Sequence, residues 1–245
     1  MQIHVHSGAP DAGLKTVELR SLDCCSQTFE SEHYVFHCKP GSKAETEIES
    51  ICAYQEACFS HILKTLAIPF SDRIHYYFLE SPKEAGAVLE ELCGDGTPTN
   101  GAAVRPHSVF AVYNDEIKGI GAHEDTHLVS YAFCIPESAF LREGLAMFLD
   151  ETWWGRPNRE WARDFVAAGS YRSVFALDAD VVFFSVPCEI TYPIAGAFTQ
   201  YLAEQIGVRN YLERVYRPQG ALSEKLRVLL HAEPDAIERD FKAWL

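Results

Sequence analysis

Five residues, His123-Glu124-Asp125-Thr126-His127, constrain this chain more than any other stretch. On an α-helix, positions i and i+4 lie on one face, about 40° apart at 3.6 residues per turn. That spacing lets both imidazoles reach one metal ion. Glu124 projects roughly 100° away from His123, where it can face a water held at that ion. Catalytic zinc usually takes three protein ligands and leaves a fourth position open. After fifteen intervening residues comes Glu143, in Leu141-Arg142-Glu143-Gly144-Leu145-Ala146, a carboxylate where a third ligand is wanted. The motif predicts a Zn2+ hydrolase, one zinc per chain, with a peptide or protein as substrate.

The surroundings of the motif agree with that reading. Ser108-Val109-Phe110-Ala111-Val112-Tyr113 has strand composition, Asn114-Asp115 suits a turn, and Ile117 to Tyr131 is helix-compatible. A strand in this place is expected to form the rim of a cleft and to bind an extended peptide along its edge.

At 245 residues the chain is long enough to bury a core without disulfide staples. Its net charge of −14 disfavours nucleic-acid backbones and anionic membranes as partners. None of the eight cysteines falls in a C-x-x-C pair, which argues against a zinc ribbon or a thioredoxin-like site. No basic segment followed by an apolar stretch opens the chain, and no apolar run is long enough to span a bilayer. The expectation is a cytoplasmic protein whose thiols are reduced and mostly buried.

Read in order, residues 1–14 suggest a loose N-terminus, followed by strands at Lys15–Leu19 and His33–Cys38. Ser42 and Glu45 form a capping box for a long helix from Lys43 to Leu66. A strand at Arg73–Leu79, a helix at Pro82–Leu92 and paired strands at Ala102–Arg105 and Ser108–Tyr113 follow. Beyond the Glu143 helix, Trp153 to Asn158 read as a loop, with the Trp153-Trp154 pair expected to pack between lobes or, as the second reading, to line a substrate pocket. Arg159–Ala168 reads as helix, and Val181–Phe184 is an apolar run of undecided type. From Pro193, the first residue of a helix, the pattern is helical to the end. The expected fold is α+β. An N-terminal α/β lobe at 1–132 includes the motif helix, with its sheet over that helix. A helical C-terminal lobe at 133–245 carries the third ligand.

Other histidines are weaker candidates. His33 and His37 are four apart on a strand, about 13 Å, too far to share an ion. His4 and His6 lie in the expected loose terminus. Asp125 is expected to be solvated or bonded locally, and Cys24-Cys25 to be structural.

The H-E-x-x-H motif followed by Glu143-Gly144-Leu145-Ala146 resembles the gluzincin clan of metallopeptidases, and within it the peptidase MA-like group. Tyr192-Pro193-Ile194-Ala195-Gly196-Ala197-Phe198, then Tyr201-Leu202 and Gly207, is a third element of that resemblance. The resemblance implies a zincin-like fold, with His123, His127 and Glu143 as zinc ligands and Glu124 as general base. It implies Tyr192 as donor to the oxyanion, with Tyr131 the next candidate. Thermolysin-like members place an Asp four residues after the ligand Glu; here Met147 stands there, and Asp150 is seven away. Two other functions fit the same residues: a catalytically silent peptide-binding module of this fold, and a zinc hydrolase of small amides.

Overall fold

The structure is a computed structural model that describes residues 2–5, 15–18, 22 and 25–245. It is a mixed α+β protein. Its contacts divide the chain into two compact units, Met1–Leu63 with Pro69–Val129, and Lys64–Ile68 with Ser130–Leu245.

The first unit begins with β1 (Gln2–Val5) paired antiparallel to β2 (Lys15–Glu18), so Gln2–Val5 is strand and not loose terminus. Apolar Ile3 and Val17 are register partners in that pair. The expectations for His6, Leu19 and Cys24 fall outside the described residues. Next come β3 (Gln27–Glu30) and β4 (Tyr34–Cys38). Two helices follow, α1 (Lys43–Thr46) and α2 (Ile48–Leu66). Then come β5 (Ile74–Leu79), α3 (Pro82–Cys93), β6 (Gly101–Val104) and β7 (Ser108–Val112).

Strands β3 to β7 form one sheet in the order β3-β4-β5-β7-β6. Its three central strands are parallel and its two outer strands antiparallel to their neighbours. Every residue of β7 is buried, as expected of an inner strand covered on both faces. On one face Tyr77, Leu79, Phe110 and Val112 pack against Ala85, Val88, Leu89 and Leu92 of α3. On the other, Tyr34 meets Phe59 of α2 edge-on at 5.7 Å. The expected single helix from Lys43 is broken at Glu47, although Ser42 caps its start by accepting from the Glu45 amide at 3.2 Å.

The motif helix α4 (His123–Phe133) begins at His123, not at Ile117. The reason lies in the preceding residues. The Gly119 amide donates to the Val112 carbonyl at 2.7 Å, and Tyr113 bridges Lys118, so this segment extends the sheet. A Cβ at Gly119 would come within 2.7 Å of that same carbonyl oxygen, so the close approach requires glycine.

In the second unit α5 (Ala139–Asp150) leads into a hairpin of β8 (Thr152–Trp153) and β9 (Arg156–Pro157). Six helical segments come next: α6 (Asn158–Ala167), α7 (Val174–Leu177), α8 (Asp180–Phe183), α9 (Cys188–Ile206), α10 (Val208–Tyr211), and a π-helical turn at Leu212–Tyr216. Two further helices, α11 (Leu222–Leu230) and α12 (Pro234–Trp244), follow it. Helix α9 is the centre of the unit: its residues from Pro193 to Thr199 are all buried. Phe198 is ringed by Phe140, Phe175, Tyr201 and Phe241. Among the described residues no strand follows Pro193, and no helix is long and apolar enough to cross a membrane.

Candidate metal centre

The rotation of α4 about its axis is fixed from the core side by Asp125. This residue is 0 % exposed, not solvated as its sequence setting suggests. Its carboxylate accepts from the Tyr34 hydroxyl on β4 and from Gln55 Nε2 on α2 at 3.0 Å. Gln55 in turn accepts from the Gly121 amide at 2.7 Å through its own side-chain oxygen. Burial, and then the neighbouring Asp125 carboxylate, hold the Tyr34 phenol well above its ordinary value. It therefore acts as a donor. With Asp125 turned into the core, helical geometry places His123 and His127 about 160° away, on the opposite side of α4.

There the two imidazoles meet, ring centroids 5.0 Å apart and near perpendicular. His127 is 6 % exposed and His123 half-buried. One ligand atom each from His123, His127 and Glu143 lie within 4.8 Å of one another, and this is the only such group among the described residues. Two imidazole nitrogens and one carboxylate oxygen are a donor set suited to zinc, so these residues fit the metal expected from the sequence.

Glu143 lies on α5, whose own rotation is set by glycine contacts with α9. A Cβ on Gly144 would come within 2.7 Å of Thr199 Oγ1 and 3.0 Å of the Ala195 carbonyl oxygen. A Cβ on Gly196 would come within 2.7 Å of Met147 Cβ. Met147, four residues after Glu143, is thus a packing residue against α9.

Glu124 faces the outermost strand of the sheet. A Cβ on Gly101 of β6 would stand 2.8 Å from Glu124 Oε1. Sequence reading missed this partner, and it placed the free strand edge on Ser108–Tyr113. That strand is internal; the edge belongs to β6. The contact makes a clean prediction. In Gly101→Ala the sheet is retained, because the obstacle is the mobile end of a side chain and a strand tolerates alanine. Glu124 is displaced, and any hydrolysis that it supports is expected to fall in kcat by about 10- to 100-fold, the scale of a misplacement near 1 Å. Steady-state kinetics beside a melting curve checks this; a lower melting temperature at unchanged kcat would refute the contact.

Tyr192 is located differently from its sequence expectation. Helix α9 starts at Cys188 behind Pro187, so Pro193 lies inside the helix and Tyr192 in its second turn. The ring of Tyr192 packs on Trp153 at 5.5 Å and on Phe183 at 5.8 Å. Tyr131 is half-buried on α4, and Asp150 is the last residue of α5.

His33, His37 and His75 are otherwise engaged. His33 Nδ1 pairs with Glu56 Oε2 at 2.6 Å, and His37 Nε2 meets His75 Nδ1 at 3.1 Å. Burial, then His75, pushes His37 down to about 4. Only Cys25 and Cys38 are buried among the described cysteines, fewer than expected. Burial raises the Cys38 thiol to about 12, far from a nucleophile's range.

No family model and no curated protein matches the chain. Among solved structures it is similar to a crystal structure of a point mutant of the M1 zinc metallopeptidase from Deinococcus radiodurans, at 14 % identity and a TM-score of 0.48. The match covers 88 % of this chain and 50 % of that one, so the chain spans about half the length of that protein. What this chain does has to be read from its own side chains.

Proposed function

We propose that this chain is a zinc-dependent peptidase of the gluzincin type, built on a zincin-like fold. The observation that carries the proposal is the convergence of His123, His127 and Glu143, whose ligand atoms lie within 4.8 Å of one another. These three residues would hold one zinc ion. When bound, zinc acts as a Lewis acid on a carbonyl and brings the pKa of water toward about 7.

The protein supplies the rest. The Glu124 carboxylate would take the proton of the attacking water as the C–O bond forms, and pass it to the leaving amine as the C–N bond then breaks. Asp125, through Tyr34 and Gln55, holds the helix that presents Glu124 and the two histidines. The outer edge of β6 runs beside Glu124 and would take an extended peptide in place of the Thr99 hydroxyl, which donates to the Gly101 carbonyl at 2.8 Å. That edge favours a peptide over a small amide as the substrate.

Protein purified without added metal is expected to carry one zinc per chain by elemental analysis, and to cleave members of a peptide library. His127→Ala should lose both the metal and the cleavage. A metal content near zero in the native protein would refute the site. Full zinc with no hydrolysis would assign the chain instead to silent peptide binding.

A further inference from the structure

The hairpin after α5 holds an unusual residue. Its two central positions, Trp154 and Gly155, both have positive φ, at 52° and 74°. That is the backbone of a two-residue type I′ turn, which favours Asn-Gly or Gly-Gly. A bulky side chain in the left-handed region is a genuine outlier. Yet Trp154 occupies it and is 68 % exposed, not packed as its sequence suggests. Strain kept in order to present an indole to solvent points to binding.

Trp154 does not stand alone. Its ring is 6.3 Å from Trp153, Trp153 is 5.5 Å from Tyr192, Tyr192 is 5.8 Å from Phe183, and Phe183 is 5.4 Å from Phe184. The run therefore ends, as it began, on an exposed ring, with Phe184 67 % and nearby Val181 80 % exposed. At the Phe184 end of the run opens a cavity of about 330 Å³, lined by Phe183, Phe184, Pro187, Thr191 and Tyr192. Thr191 is 1 % exposed, and its hydroxyl has no hydrogen-bond partner. A buried hydroxyl of this kind ordinarily finds one.

The charge around this face is negative. Exposed Glu151 precedes the hairpin, and exposed Glu189 follows the cavity on α9. Arg156, the hairpin's own cation, is held by Glu160 at 3.1 Å and Asp164 at 2.6 Å. With −14 overall, a second copy of the chain and an anionic lipid surface are both repelled.

We infer that this aromatic run and its cavity bind a large apolar side chain of a polypeptide substrate, one flanked by basic residues. The inference rests on the peptidase reading for the word substrate, but binding can be measured apart from hydrolysis. The probes are fluorescein-labelled Lys-Gly-Phe-Gly-Lys, its counterpart with Ala for Phe, and its counterpart with Glu for both Lys. Anisotropy against the Glu124→Gln variant reads binding, and wild-type protein reads cleavage.

The Phe peptide is expected to bind at least about tenfold more tightly than either counterpart, the scale of burying one aromatic side chain. Trp154→Ser combined with Phe184→Ser should reduce that ratio to about threefold or less. Both side chains are exposed, so an unchanged melting curve is expected and separates lost binding from lost fold. A Phe-to-Ala ratio near one, or a ratio unmoved by the double variant, would overturn the proposal. So would a double variant whose effect is on co-sedimentation with phosphatidylcholine vesicles or on self-association instead of peptide binding. Selective binding without any cleavage would sink the peptidase reading and leave this surface standing; cleavage without selectivity would do the reverse.

Discussion

Under the proposed mechanism, Glu124→Gln is expected to keep the bound zinc and to lose hydrolysis by about 10²- to 10⁴-fold. The substitution preserves size and hydrogen-bonding reach and removes only the capacity to take a proton. General-base contributions are of that order, about 3–5 kcal/mol of barrier. The metal is expected to stay because the three residues proposed to hold it, His123, His127 and Glu143, are untouched. The variant should also melt at the temperature of the native protein, since Glu124 is half-buried against the outer strand and anchors nothing in the core. Elemental analysis and turnover on one peptide, measured on the same preparation, decide the matter. Full turnover with full metal would mean that another group takes the proton.

The second large effect is on stability. Asp125→Ala removes an acceptor that is 0 % exposed and leaves the Tyr34 hydroxyl and Gln55 Nε2 buried without it. Each donor falls back on a longer acceptor, the Gln55 carbonyl at 3.2 Å for Tyr34 and the Gly121 carbonyl at 3.3 Å for Gln55 Nε2, and losing two hydrogen bonds to a charged group costs about 3–5 kcal/mol in total. For a chain of this length that corresponds to a fall in melting temperature of roughly 6–20 °C. Asp125→Asn keeps one acceptor oxygen and should cost less. A cycle with Tyr34→Phe isolates the pair, because the two losses overlap in the double variant. Additive losses, or a fall below about 2 °C in Asp125→Ala, would show that the network does not hold the helix.

The grouping of His123, His127 and Glu143 was legible from sequence because its signal is local. His123 and His127 are one turn apart, and Glu143 lies on a helix whose apolar pattern is plain, so spacing brought forward the three residues that the structure groups. What sequence left dark depends on contacts between distant segments. Asp125 finds its partners 91 and 70 residues away, and no local pattern announces them. One clue existed: Gln55 interrupts an otherwise apolar row on α2, the row of Ile48, Ile51, Phe59, Ile62 and Leu66. A polar residue on a core stripe implies a buried partner. The Gly101 contact had no such clue, because a glycine in a strand has several common explanations. The start of α9 was misplaced because Pro193 suits a first helical position so well. Pro187 lies one and a half turns earlier and takes the role of entry residue instead. The central strands were recognised, but the edge was assigned to Ser108–Tyr113, since strand order is invisible in a single sequence.

The glycine contact between α5 and α9 has a consequence for anyone who would breed this protein. Neither Gly144 nor Gly196 offers a side chain to a metal or a substrate, and each already has neighbours within 3 Å of the place a methyl group would take. A randomised library should therefore find both positions as intolerant as the ligands themselves, for reasons of fit alone. The carboxylate of Glu143 inherits its position from that tight fit, so variants that change what the protein accepts will not arise by adjusting α5. They are to be sought where the chain has slack, in the turn at Trp154 and Gly155 and in the segment from Phe184 to Pro187.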